Sequence, residues 1–248
     1  MKLAAIYNVW DGVELLNGSM RSVADGVDLF IIVFQRVSNF GEPFDPSPFI
    51  EGIPGKEMIL TEYIPDFADA SPALNEKIKR QTGLDIANEN GCSHFLHMDC
   101  DEYYMDFVNL KNEFIESGCA GSVCRIYTYF KDPTLRLMNH DNYFVPFIHA
   151  LGVDTIAGWY KYPHYVDPTR RINVDGDVPI IGEMHHFSWV RKDINRKIRN
   201  STARANIERS DLLKDYLDPL TLDGTKLKDY QNQTLVRVGD WFNIWPMI

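Results

Sequence analysis

The sequence predicts an α/β domain built on an open, mostly parallel central sheet flanked by helices, with a short C-terminal extension. Three observations carry this expectation. Short apolar runs rich in branched residues alternate with stretches of helical periodicity, the rhythm of strand-helix-strand units. Of 248 residues, 45% are hydrophobic and 12% aromatic, enough to bury a sizeable core. One apolar strand runs straight into a cluster of carboxylates, and open α/β sheets bind ligands at the carboxyl ends of their strands.

The elements follow in order. Residues 2–7 are a short apolar run suited to a buried strand, and residues 12–23 place Val13, Leu16, Met20 and Val23 on one helical face. Residues 28–34 (DLFIIVF) read as a buried parallel strand. Residues 38–56, rich in Gly, Pro, Ser and Asp, form a loop; residues 57–64 are a third strand. A helix over 72–90 ends at Gly91, and residues 94–98 are a fourth strand. A helix over 106–117 closes at Gly118, and residues 119–130 alternate as a strand does. Residues 139–179 read as irregular and aromatic, with Trp159, Tyr160, Tyr162 and Tyr165 close together. The domain is expected to span 1–209, with 210–248 an extension packing back through Trp241, Phe242 and Trp245.

The net charge of -10 disfavours a sequence-blind nucleic-acid binder. Within residues 186–209, however, Arg191, Lys192, Arg196, Lys197, Arg199, Arg204 and Arg209 face just Asp193 and Glu208, so a phosphate-bearing ligand has a local surface to meet. The first twelve residues lack the pattern of a signal peptide, and no stretch approaches the ~18 apolar residues of a membrane span. A cytoplasmic protein is expected. Cys92, Cys100, Cys119 and Cys124 form no CxxC pair and read as reduced thiols.

The sharpest chemical feature is HFLHMDCDEYY, residues 94–104, in which a strand ends in Asp99, Asp101 and Glu102. Carboxylates two residues apart at a strand end can converge on Mg²⁺ or Mn²⁺, hard cations that share their shells with substrate phosphates. In this feature the chain resembles the GT-A glycosyltransferases, in particular the family-2-like group with its DxD motif after the fourth strand. The likeness covers about the first two hundred residues. It implies a GT-A-like or Rossmann-like fold and transfer of a sugar from a nucleotide-diphosphate donor to a hydroxyl acceptor, with Asp99 and Asp101 on a Mn²⁺ or Mg²⁺ ion that steadies the leaving diphosphate.

The resemblance extends to the opening strand, loop and helix, which implies that Asn8, Asp11 and Arg21 lie nearest the nucleotide; an ordinary helix cap by Asp11 is the alternative. Where the family carries an acidic stretch after its second strand, this chain has FQRVSNFGE. Gln35, Ser38 and Asn39 remain as groups that can bind a base or ribose. The resemblance also implies a histidine completing the metal shell, and His185 or His186 falls in place for it. Neighbours on a strand face opposite ways, so one of the pair faces the site, and His186 is favoured. The basic segment after 193, read as a helix to about 209, offers Lys197 or Arg199 to the diphosphate, or is merely a solvated face.

Candidates for a catalytic base are Asp154, ranked first, Asp141 and Glu183. Trp159, Tyr160 and Tyr162 are candidates to stack on an acceptor, or else belong to the core. The acceptor classes are a glycan, a lipid-linked sugar, a protein or, as a minority option, a hydroxylated nucleobase in DNA. Two other functions stay open: a metal-dependent nucleotidyltransferase or phosphohydrolase, and a non-catalytic carbohydrate-binding module. No GxxxxGK[ST] loop supports the former.

Overall fold

Strand β1 (Leu3–Val9) is apolar on both faces because both are covered. Leu3, Ala5, Tyr7 and Val9 pack against α1 (Val13–Val23) and α3 (Phe107–Ser117), whereas Ala4 and Ile6 face Leu84 and Ala87 of α2 (Pro72–Glu89). The computed structural model describes residues 1–159, 161–201 and 211–248. β1 lies between β2 (Leu29–Phe34) and β4 (His94–Asp99), and β3 (Glu57–Glu62) follows β2; all four run parallel. The chain leaves β1 for β2 on one side and returns to β4 on the other, which opens a crevice at the carboxyl ends of the strands. Register aligns those ends: Asn8 sits beside Val33 on one side and beside Asp99 on the other.

The predicted parallel α/β block is therefore present, and the sheet continues past β4 with mixed directions. Strand β5 (Glu102–Tyr103) follows the acidic turn, β6 (Gly121–Phe130) and β7 (Leu135–Leu137) come next, and β8 (Phe144–Ala150) joins β4 to β6 in antiparallel fashion. Strand β9 (Ile180–Trp189) runs parallel to β6 and pairs on its other edge with β5. After α4 (Ile194–Arg199) and α5 (Leu212–Leu217), β10 (Lys226–Leu227) and β11 (Gln233–Arg237) extend the sheet through β7.

Several expectations need correction. Residues 144–150 are a buried strand, not part of an irregular stretch; Pro146 is tolerated because β8 meets β4 only over residues 148–150, so that edge needs no amide from it. In the tail, Ile244 is fully buried and Phe242 packs on Tyr103 and Phe187, but Trp241 and Trp245 are about half exposed at 49% and 53%. Asp240 accepts the amides of Ile244 and Trp245, a turn that carries Ile244 inward, and Trp241 meets His185 edge-on at 5.6 Å while keeping half its surface exposed. Helix α4 is described to Arg199; the remainder of the expected basic helix, residues 202–210, and the acceptor candidate Tyr160 lie outside the described residues. All four cysteines are free thiols, three of them buried.

Candidate active site

Two cavities meet at the carboxyl ends of the parallel strands. The first, about 320 Å³, is bounded by Asn8, Trp10 and Asp11 after β1, and by Gln35, Ser38 and Asn39 after β2. Asp99, Cys100 and Asp101 form its floor, with Lys79 of α2 on one side and Arg191 and Lys197 on the other. The second, about 300 Å³, is walled by Thr128, Asp141, Tyr143, Phe144, Trp189 and Tyr230. Asp99, Asp167, His186 and Ser188 line both, so the two spaces share one junction.

Charge pairing organises the floor. Asp101, 3% exposed in its side chain, binds the guanidinium of Arg191, and Lys197 Nζ stands 3.4 Å from Oδ2. Burial opposes its charge, yet Arg191 and Lys197 outweigh burial and hold the carboxyl far below the usual range. Asp99, 36% exposed, takes Arg170 on one oxygen at 2.6 Å and Arg80 on the other at 3.3 Å. Those guanidiniums likewise overcome its burial and lower its pKa. Glu102 turns back to accept the Asp99 amide at 3.0 Å and receives Arg170 Nη1 at 2.7 Å. Burial and then the negative charge of Asp99 push Glu102 upward against the pull of Arg170.

A glycine makes this possible. Gly12 has φ +75°, and a Cβ there would lie 1.4 Å from Arg191 Nη1. Its missing side chain is the passage by which Arg191 reaches Asp101.

The first cavity also holds polar atoms without protein partners. Both atoms of the Asn8 amide, Trp10 Nε1, Gln35 Oε1 and Arg191 Nη1 are buried and unpaired. Unmet donors and acceptors on a cavity wall are costly unless a ligand or water meets them. Lys79, buried beneath, donates to the Val9 carbonyl at 2.8 Å, and burial pulls its pKa down to about 7.

Of the candidates read from sequence, Asn8, Asp11, Gln35, Asn39, Asp99, Asp101, His186 and Lys197 all line the first cavity. Arg21 does not; it lies on the exposed side of α1, whose buried residues include Leu16, Met20 and Val23. Arg199 is bound instead to Glu42 at 2.9 Å across the cavity rim. In β9, Met184, His186 and Ser188 face the junction while Glu183 and His185 face away. His185 shares a hydrogen bond with Tyr129 at 2.9 Å, and Glu183 pairs with His140 at 2.6 Å, so neither reaches the site.

Asp154 lies in an exposed turn after β8, whose end is level with the start of β4 and therefore at the opposite edge of the sheet. Asp141 does line the second cavity, accepting from Thr128 Oγ1 at 3.0 Å. Tyr162 is bonded to His149 and packs in the core, and Trp159 sits beside the strand-like bridge at Ala157; the aromatic wall is made by Tyr143, Phe144, Trp189 and Tyr230 instead.

Sequence reading missed Arg80, Arg170 and Asp167. Arg80 had a signal: it occupies the buried face of α2 with Leu84 and Ala87, a place for an apolar residue unless an anion waits there. Asp167, whose Oδ1 accepts from the Thr169 amide at 2.7 Å, had none.

The donor set suits a divalent cation in one place. Asp101 Oδ1 and His186 Nε2 lie 3.7 Å apart at the cavity, an oxygen and a nitrogen that leave phosphate and water to complete a shell. Burial lowers the His186 pKa, which favours the neutral imidazole a metal requires. Asp99 is not part of that set, because its two oxygens face Arg80 and Arg170. Among the described residues no group of three or more His, Cys, Asp or Glu side chains could hold a metal by itself.

No protein-family model and no curated protein matches the chain. Solved structures do resemble it in part. TarS residues 1–349 from S. aureus match at 16% identity and a TM-score of 0.36 over 53% of this chain, and just 36% of that 349-residue piece is covered, about a third of its length. A mannose-1-phosphate geranyltransferase from Thermus thermophilus matches at 14% identity and 0.34, covering 61% of this chain and 51% of that one. A197 from STIV matches at 14% and 0.27, over 53% and 48%. Identities and scores this low leave function to the chain's own residues.

Proposed function

We propose that this chain transfers a sugar from a nucleotide-diphosphate donor in the first cavity to a hydroxyl acceptor in the second. The observation that carries the reading is the shared junction of Asp99, Asp167, His186 and Ser188, where a donor's anomeric carbon and an acceptor oxygen would meet. In this reading the unpaired Asn8, Trp10 and Gln35 atoms bind the nucleoside, and Arg191 and Lys197 neutralise charge on the departing diphosphate. Asp101 and His186 would hold Mn²⁺ or Mg²⁺, which would act as a Lewis acid toward the diphosphate. Asp99 fixes Arg80 and Arg170 rather than the cation. For inverting transfer, Asp167 or Asp141 would take the acceptor's proton, Asp167 standing at the junction and Asp141 deeper on the acceptor side.

The test is a panel of UDP-, GDP- and CDP-sugars, each with Mn²⁺, Mg²⁺ or chelator, followed by nucleoside diphosphate release. Sugar-dependent release that is lost in Asp101→Asn supports the proposal. Pyrophosphate release from a nucleoside triphosphate would instead make the chain a nucleotidyltransferase if it requires a sugar phosphate to receive the nucleotidyl group, or a phosphohydrolase if water suffices, and tight saccharide binding without turnover would make it a carbohydrate-binding protein. No helix among the described residues is long and apolar enough to cross a membrane.

A further inference from the structure

The second cavity differs in character from the first. One ring of its aromatic wall is open to an incoming molecule: Tyr143 is 41% exposed and packs at a tilt against Tyr165 with ring centroids 4.4 Å apart. Aromatic faces of this kind suit the C–H faces of pyranose rings. Tyr230 arrives from the C-terminal tail, and its hydroxyl accepts from Trp189 Nε1 at 2.8 Å, fixing both rings.

The charges lining this space are Asp99, Glu102, Asp141, Asp167 and Arg170. Arg170, the one arginine or lysine among them, is spent on Asp99 and Glu102 at 2.6 and 2.7 Å. Asp141 and Asp167 have no cation within ion-pair distance among the described residues, and their hydrogen-bond partners are neutral: Thr128, Asn142 and Thr169. A phosphate, sulfate or carboxylate entering here would meet like charge, with no free cation among the described residues lining the space to receive it. In the first cavity two cations, Arg191 and Lys197, share the single carboxylate of Asp101, whereas here Arg170 is itself shared between Asp99 and Glu102.

Resting on the transferase reading, we infer that the acceptor is an uncharged carbohydrate, bound by the Tyr143 face and by hydroxyl contacts to Asp141 and Asp167, and that phosphate-bearing acceptors, DNA included, are refused.

Saturation-transfer NMR on the full chain with UDP present tests this, using maltose, cellobiose and chitobiose against glucose 6-phosphate and a short oligothymidylate. At least one neutral disaccharide is expected to receive saturation, with its Kd raised about fivefold by Tyr143→Ala, an exposed position whose loss should leave the fold intact. Binding of glucose 6-phosphate or the oligonucleotide at the same site as tightly as any neutral sugar overturns the inference. So does an absence of saccharide binding in a protein that takes up UDP, which leaves the donor reading standing. A protein that binds the saccharides but not UDP keeps this inference and loses the transferase.

Discussion

The two cavities are built in opposite ways. The first draws its walls from the ends of neighbouring parallel strands, with residues at or just after the ends of β1, β2 and β4 in register, and it sets Lys79, Arg191 and Lys197 beside its carboxylates and holds the unpaired polar atoms. The second gathers residues from β6, β8, β9 and the tail, far apart in the chain, and it is acidic and aromatic. In the proposed transferase this difference would let one sheet separate a diphosphate-binding task from a hydroxyl-binding one across a single shared row of side chains. Asp99 and Asp101 mark the border: one fixes Arg170, which lines the second cavity, and the other fixes Arg191 and Lys197, which line the first.

The strongest way to break this comparison is Asp101→Asn. Removing the buried partner of Arg191 and Lys197 is expected to cost about 3–5 kcal/mol of stability as well as donor turnover, read by urea unfolding and by diphosphate release. Asp99→Asn, at a half-buried position, is expected to cost less, about 1–3 kcal/mol. Equal losses in the two variants would erase the proposed division of labour. Asp167→Asn sharpens the junction: transfer should fall about 10²–10⁴-fold while calorimetry still detects UDP binding. A larger effect from Asp141→Asn would move the base into the acceptor cavity.

Gly12→Ala is expected to destabilise by about 1–3 kcal/mol, from its positive φ and the displaced Arg191, and to weaken UDP binding with it. Unchanged UDP affinity would remove Arg191 from the donor site. The smallest effect concerns Lys79. Its folded pKa is depressed by burial to about 7, below that of the unfolded chain. Between that value and the ordinary lysine range the unfolded state holds the extra proton, so this residue's contribution makes stability rise with pH; below about 7 both states are protonated and the full penalty applies. Lys79→Met should flatten that rise in pH-dependent unfolding, and an unaltered slope would show the amine to be charged in the folded protein.

Much of the parallel half was legible because local pattern and tertiary role coincide there. DLFIIVF is buried on both faces and could hardly be anything but an inner strand, and Gly118 ends its helix with a positive φ of 64°. Alternation along β9 required that just one of His185 and His186 face the cavities, and the fold puts His186 there. Failure came where local pattern was silent. The run holding Pro146 hides a strand whose proline is harmless on account of where β4 stops pairing, and Asp154 stood out in sequence while lying at the wrong edge of the sheet.

By itself the sequence determined the alternating α/β layout, the acidic turn after the fourth strand and the polar ends of β1 and β2, because periodicity and strand-end chemistry are local. Tertiary structure alone decided which cation answers each carboxylate. Arg80, Arg170 and Arg191 come from a helix, a loop and the segment after β9, and they meet Asp99 and Asp101 across long separations in the chain. Ion pairing over such separations leaves no periodic trace, since it depends on the packing that brings distant segments together.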